Sequence, residues 1–287
     1  MKDIDFIKRQ HSERPQLSHA SNIIVKFDST LSNSDRNKLN SIIKEYAKYL
    51  NGINAIDGTE NTAVIKKVRC LNKYYNFIHD NGLDNLFSSQ GKFRPTILEE
   101  FLFLLFENFV KTMKQKYDSN NVVDSGSIKA YTNIFFKAKD FKNFIQTPEI
   151  GINEKDQDFA IYRSFDISIN KEPAKRIRIP AVAIEAKTYV DKTMLDGIIA
   201  TAEKLKSGNP YTRFVAVAER YDVSTSVDPS YSRIDQIYIL RKGIKKGEWN
   251  DICEDVVLRL YNETINHLMK PWSDIKKRLN EDGVIIS

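Results

Sequence analysis

The stretch "PAVAIEAKTYVDKTM" (residues 180–194) holds four consecutive apolar residues at 181–184, followed by Glu185 and Lys187. Side chains alternate between the two faces of a strand, so Glu185 and Lys187 point to the same side. Charged side chains are rarely buried without a partner. The stretch therefore predicts a buried strand that ends in a paired acid and base.

The composition is that of a soluble, globular protein with one large domain or two smaller ones. The 287 residues are 41% hydrophobic and 29% charged,. No apolar run reaches the roughly 18 residues that a membrane helix needs, and residues 1–10 lack the apolar segment of a signal peptide. We therefore expect a cytoplasmic protein without a membrane partner. The net charge of +6 and the pI of about 9.0 favour an anionic partner such as nucleic acid,.

Several classes of site are excluded by the residues that such sites require. The two cysteines and four scattered histidines match no zinc spacing and, without an export signal, predict no disulfide,. There is no glycine-rich phosphate loop and no nucleophile elbow. A metal would then be a hard cation, such as Mg²⁺, held by carboxylates. Three basic clusters are candidate nucleic-acid contacts or solvated loops: "KRQHSER" (8–14), "KEPAKRIR" (171–178) and "RKGIKK" (241–246).

The pattern divides the chain into a helical, lysine-rich region at residues 1–90 and a second domain at 91–287. Apolar spacing predicts a helix at 34–50, with Ser34 as its N-cap, and another that stops at residues 81–82. Turn residues at 51–58 separate the two helices.

The second domain alternates helical and strand patterns. A buried helix is predicted from residue 95 to about 117, with Thr96 and Glu99 as a capping box, and a last helix begins near Trp249. Between them lie strands at 130–138, 158–169 and 176–187, a helix at 191–208, and strands at 213–219 and 235–241. This order predicts an α/β domain with a mixed sheet.

The second and third strands predict a hairpin, because residues 170–175 are rich in turn formers. A turn centred between residues 172 and 173 places Asp158 opposite Lys187 and diagonal to Glu185, where directly opposite side chains lie about 5 Å apart. Asp166 would face a position six residues from Glu185, which is about 20 Å along the strand. Asp158 is therefore the expected partner.

These residues suit phosphodiester hydrolysis. Asp158 and Glu185 offer the oxygen ligands that Mg²⁺ prefers, and the backbone carbonyl of Ala186 could complete the set. Such a metal makes its water a better nucleophile. Lys187 could orient that water or stabilise the charge that grows on the phosphate.

Asp158, followed by Glu185, Ala186 and Lys187 at the end of an apolar strand, resembles the motif of the PD-(D/E)xK nuclease superfamily. The resemblance implies a restriction-endonuclease-like αβββαβ core, which matches the element order over residues 95–219. It also implies that Asp158 and Glu185 bind Mg²⁺ and that Lys187 assists hydrolysis. Gln157 departs from the motif, because a proline precedes the aspartate in many members.

Many members also carry a glutamate on the first helix of the core. Glu100 and Glu107 share a helix face, so either could join the metal site, and we name Glu100 as the candidate. Glu99 is instead assigned to the helix cap. The chain, including "IEAKTYVDKTMLDG" (184–197), is also similar to subunits of type II restriction endonucleases that cut short asymmetric sites as heterodimers. This implies double-stranded DNA as substrate, a second hetero- or homodimeric subunit, and DNA recognition by residues 1–90.

Three alternatives remain at this point. The chain could be a repair or transposon nuclease of the same fold, or a non-catalytic DNA-binding subunit. The acid and base at the strand end could also form a simple ion pair, which typically contributes only about 0–1 kcal/mol.

Overall fold

The computed structural model describes residues 2–87, 93–118, 121–146, 149–168, 174–243 and 249–283. The first four helices are α1 (Lys2–Glu13), α2 (Ser18–Asp28), α3 (Asn33–Asn54) and α4 (Asn61–Asp80). The expected N-cap of α3 was wrong: the Ser32 side chain, and not that of Ser34, accepts from the Asp35 amide. The helix also continues to Asn54, past the turn residues that were expected to break it after residue 50.

The remaining elements build an α/β domain. They are α5 (Pro95–Tyr117), β1 (Val123–Lys137), α6 (Phe141–Gln146), β2 (Glu149–Ile167), β3 (Lys175–Val190), α7 (Lys192–Gly208), β4 (Arg213–Tyr221), β5 (Gln236–Ile239), α8 (Glu254–Met269) and α9 (Ile275–Lys277), with a 3₁₀ turn at Pro229–Tyr231 and a π-helical turn at Arg278–Asp282. The predicted order of helix, three strands, helix and strand is confirmed, with α6 as an addition. The last long helix begins at Glu254 and not near Trp249.

The five strands form one sheet in the order β1-β2-β3-β4-β5. The β1–β2 and β2–β3 pairs are antiparallel, while β3–β4 and β4–β5 are parallel. The predicted mixed sheet is therefore confirmed.

The two faces of the sheet pack against different helices. One face presents side chains such as Phe159, Ile184 and Val217 to a core that also contains residues of α1 to α5 and α8. The other face presents Ala183 and Phe214 to α7. The N-terminal helices thus share a hydrophobic core with the sheet, and the predicted boundary between residues 90 and 91 lies outside the described residues.

The outer part of the β1–β2 ribbon leaves the sheet and forms an arm, residues 128–146 and 149–156. Its β2 residues pair with β1 but not with β3 in the described ladder. The arm folds back over α7, where a Cβ on Gly208 would lie 1.7 Å from the Thr132 carbonyl oxygen. Near the far end of the arm, Lys175 Nζ donates to the carbonyl of Ile150 at 3.2 Å. Within the described part of the chain, no helix combines the length and apolarity that a membrane span requires.

Candidate active site

The candidate site lies where β2 and β3 separate. Their ladder ends at the pair Phe159–Ile184, and the same register continued by one step places Asp158 opposite Glu185. The sequence had placed Asp158 opposite Lys187, so the predicted register was wrong by two residues. A register shift between Ile161 and Tyr162 accompanies Pro180, which has no backbone N–H to donate to the ladder,. The expected turn centre at 172–173 lies outside the described residues.

Asp166 lies far from this point. It pairs with Arg176, nine positions before Glu185, and not with the position six residues away that the sequence predicted. The Arg176 guanidinium donates two hydrogen bonds of 2.9 Å to its carboxylate. At about 3.3 Å per residue, nine residues span roughly 30 Å, so Asp166 cannot join a site built around Glu185.

Asp158, Glu185 and Lys187 converge as their positions in the sequence predicted. Lys187 Nζ lies 2.6 Å from Glu185 Oε1 and 3.4 Å from Asp158 Oδ2. The Ala186 amide donates to Asp158 Oδ2 at 2.8 Å. This bond joins the two strands just beyond the end of their ladder, and it fixes the orientation of the Asp158 carboxylate.

The three side chains are sheltered but reachable, with exposures of 19% for Asp158, 17% for Glu185 and 29% for Lys187. Burial alone would lower the pKa of Lys187, but the carboxylates of Asp158 and Glu185 outweigh it and raise that pKa. Lys187 is therefore protonated at neutral pH. Two carboxylates and one ammonium leave a net charge of −1, which favours a further cation.

Glu100 does not face this cluster. Its buried Oε2 accepts from the amides of His19 and Ala20 at 2.9 and 3.0 Å, and its Oε1 accepts from the Tyr46 hydroxyl at 2.7 Å. The carboxylate thus caps the N-terminus of α2, which has no side-chain cap of its own. Glu107, the other candidate, pairs with Arg14 at 3.1 Å.

Glu99 lies nearer the cluster, although the sequence had assigned it to a capping box. That box was wrong: Pro95 is at the first position of α5, the side chain of the N-cap residue Arg94 makes no capping hydrogen bond, and Thr96 donates instead to the carbonyl of Phe93. Glu99 lines a cavity of about 270 Å³ together with Asp158. The sequence signal for this position was that Glu99 lies on the helix that the resemblance already implicated.

The loop between α1 and α2 forms another wall of this cavity through Pro15 and Gln16, together with Ser18 at the start of α2. It packs closely on Gly126 of β1, which has a φ of +138°, and a Cβ there would lie 2.8 Å from Gln16 Cγ. The N-terminal helical region therefore reaches the candidate site directly. No local sequence pattern indicated this contact.

Arg241 and Arg14, from two of the predicted basic clusters, serve internal contacts. Arg241 is 3% exposed, and its Nε donates to the buried carboxylate of Glu219 at 2.8 Å. Arg14 bonds to Glu107. These two side chains are therefore occupied within the fold. Parts of the clusters at 171–178 and 241–246 lie outside the described residues.

The donor set suits a partly hydrated Mg²⁺. Asp158 and Glu185 bring two hard oxygen donors together, and Mg²⁺ commonly uses one or two protein carboxylates while keeping several waters,. Among the described side chains, no group of three or more His, Cys, Asp or Glu is arranged to hold a metal ion. In the described arrangement a cation here would rest on two carboxylates, and any third side-chain ligand would have to move into reach.

Comparisons with known proteins place this geometry in context. A chain of the structure titled "native BbvCI A2B2 tetramer at low resolution" shares the fold, with a TM-score of 0.70 and 20% identity over 89% of this chain and 96% of that one. A search of curated proteins gave no match. The model of the Bpu10I restriction endonuclease family matches residues 90–257, which include β1 to β5 and the cluster of Asp158, Glu185 and Lys187. The match covers more than half of the chain and confirms the predicted restriction endonuclease. The chain therefore belongs to the Bpu10I restriction endonuclease family.

Proposed function

We propose that this chain is a catalytic subunit of a type II restriction endonuclease that uses Mg²⁺ to hydrolyse one strand of double-stranded DNA at a specific short site. The convergence of Asp158, Glu185 and Lys187 at the point where β2 and β3 separate carries the proposal. Family membership supports the reaction class. Because the substrate is DNA, we place the enzyme in the cytoplasm.

Asp158 and Glu185 would hold the cation, with the Ala186 carbonyl and Glu99 as additional candidates. Glu99 replaces Glu100 in this set, because Glu99 shares a cavity with Asp158 and the carboxylate of Glu100 is engaged at α2. Bound Mg²⁺ would supply charge that acidifies water and stabilises the phosphoryl oxygens.

Lys187 and the Ala186 amide would supply the remaining chemistry of the chain. The amide holds the Asp158 carboxylate in place through its 2.8 Å bond. The Lys187 ammonium, already protonated, would orient the attacking water or stabilise negative charge as the phosphate becomes five-coordinate. Both groups belong to the end of β3, so one strand would set their relative positions.

A second subunit would complete duplex cleavage. One such site cuts one strand, so two sites are needed to break both. The structurally similar BbvCI protein is described as an A2B2 tetramer, and we infer that this chain likewise works beside a second subunit. The α1–α2 loop forms a wall of the cavity beside Asp158, so the N-terminal helical region would lie near bound DNA. We therefore retain residues 1–90 as the proposed recognition region.

The direct test is cleavage of a mixed plasmid population with Mg²⁺, followed by sequencing of the new ends. Metal-dependent ends at one fixed short sequence are expected. Asp158→Ala and Glu185→Ala should abolish cleavage while circular dichroism and melting remain close to wild type. Full cleavage by Glu185→Ala would refute the assignment of the site.

Metal binding by the isolated chain gives a readout that does not depend on a partner subunit. Isothermal titration with Mg²⁺ should show binding to the wild-type chain and little binding to the Asp158→Ala, Glu185→Ala double variant. Asp166→Asn is the matched control, because Asp166 is a carboxylate on the same hairpin that lies far from the cluster.

A further inference from the structure

The end of the arm exposes an unusual amount of apolar surface. Phe136, Phe141, Phe144 and Ile145 are 67%, 75%, 55% and 65% exposed. Phe141 and Phe144 stack on each other with ring centroids 6.3 Å apart. We call this region the arm tip, residues 134–146. Exposed apolar residues are normal singly, but four within ten residues form a patch.

The size of the patch is that of an interface. A phenylalanine has about 200 Å² of side-chain surface, so these exposures sum to on the order of 500 Å². The largest patch on a typical monomer is about 300–600 Å² and is often functional. A standard interface takes about 800 Å² from each partner. The arm tip would supply more than half of that area with apolar side chains alone.

The charges of the arm tip favour a protein partner over DNA. Lys137 pairs with Glu149 at 2.9 Å. The tip also carries Lys139, Asp140 and Lys142, and Lys175 lies beside it at Ile150, which leaves a net charge of about +2. Surfaces that bind DNA depend on many cationic contacts with phosphates, whereas the centre of a protein interface is aromatic and poor in charge.

The arm tip also lies far from the candidate active site. Ile150, beside the tip, accepts a hydrogen bond from Lys175, the first residue of β3, whereas Glu185 lies ten residues further along that strand. Ten residues of strand span about 33 Å. A protein bound to the tip would therefore leave the catalytic face open to DNA.

We propose that the arm tip binds the arm tip of a second copy of this chain across a two-fold axis. In a two-fold contact the same patch occurs on both sides, so the surface must be complementary to itself. An aromatic patch with few charges meets that condition without any matching of opposite charges. This contact is separate from the pairing of nuclease subunits proposed above and does not depend on the reaction.

Sedimentation velocity of the full chain, from low to high micromolar concentration, tests the contact. The wild-type chain should pass from monomer to dimer. The double variant Phe141→Ser, Phe144→Ser should dissociate at least about tenfold more readily, as expected for loss of central aromatic anchors. Tyr231→Ser is the matched control, because Tyr231 is 71% exposed at a distant 3₁₀ turn. Its self-association should equal that of the wild type.

A wild-type chain that stays monomeric throughout this range would overturn the proposal, as would a double variant that associates like the wild type. Fluorescence anisotropy with a labelled DNA duplex tests whether the arm tip binds DNA instead. If the double variant lost DNA affinity but kept its self-association, the arm tip would be a nucleic-acid surface and the proposal would fail. Circular dichroism checks the fold, which substitution of two exposed side chains should leave intact.

Discussion

Glu100 offers a quantitative test of whether this carboxylate is structural, as the fold indicates, or a metal ligand. The side chain is 1% exposed and accepts three hydrogen bonds, two from amides at the start of α2 and one from the Tyr46 hydroxyl. Burial is the dominant effect and raises its pKa from 4.5 to about 7, although the hydrogen bonds from Tyr46, Ala20 and His19 oppose the rise. The folded state therefore holds this proton more tightly than the unfolded chain does.

The sign of the pH dependence follows directly. Where the folded state binds more protons, the free energy of unfolding falls as the pH rises. The contribution of Glu100 is thus complete below pH 4.5 and is lost as the pH rises through about 7. At 1.36 kcal/mol per pH unit, the total amounts to about 3 kcal/mol.

His19 conceals this effect in the wild-type protein. Its buried ring has a pKa lowered from 6.5 to about 3, because burial disfavours the charged form. The contribution of His19 to stability is therefore lost as the pH falls from 6.5 towards 3. Between pH 4.5 and 6.5 the slopes due to His19 and Glu100 oppose each other.

Glu100→Gln isolates the carboxylate, because the amide oxygen can still accept from the backbone of α2. Urea unfolding of both proteins between pH 4.5 and 6.5 gives the difference in the free energy of unfolding, wild type minus variant. This difference should fall by about 2 kcal/mol across the interval. A difference that stays constant would show an ordinary carboxyl group and refute the reasoning. Mg²⁺ titration should find unchanged affinity in the variant.

Three further predictions concern the candidate site. Lys187→Ala should lower the single-turnover cleavage rate by about 10²–10³ while DNA affinity changes little, since its charge acts mainly in the transition state; an equal loss of affinity would contradict this role. Asp166→Asn should cleave DNA like the wild type, and an inactive variant would make Asp166 a metal ligand. Glu99→Gln should weaken Mg²⁺ binding in calorimetry, whereas Glu107→Gln should not, because Glu107 is paired with Arg14; equal effects would remove Glu99 from the site.

Much of the fold could be predicted because apolar periodicity reports burial. The helix at 95–117 and the helix at 191–208 match α5 and α7 closely, since each carries buried apolar side chains through several turns. The buried strand at 213–219 was equally clear, with six consecutive buried residues. Periodicity failed where exposure varies along an element: the prediction missed the inner part of β1 before residue 130 and the outer part of β2 before residue 158, which belongs to the arm.

The long-range contacts of Glu100 and of the candidate site are not local, and for this reason the sequence did not predict them. Glu100 caps a helix about eighty residues earlier in the chain, and the α1–α2 loop reaches the cavity through Gly126. The capping box at Thr96 and Glu99 matched a local pattern, but Pro95 at the first helical position satisfied the helix start in another way,. The glutamate assigned to a cap was thus the one that shares a cavity with Asp158.

The grouping of Asp158 with Glu185 survived an incorrect register for a physical reason. Successive side chains alternate between faces, so a slip of one residue turns a side chain to the opposite face, while a slip of two restores it. The predicted partner was Lys187 and the observed register points to Glu185, a difference of two. Asp158 therefore stays on the face that Glu185 and Lys187 share. The face on which a side chain lies can therefore be predicted even when the register is wrong by two residues. A carboxylate cluster requires only that its side chains share a face and lie at about the same height along the strands.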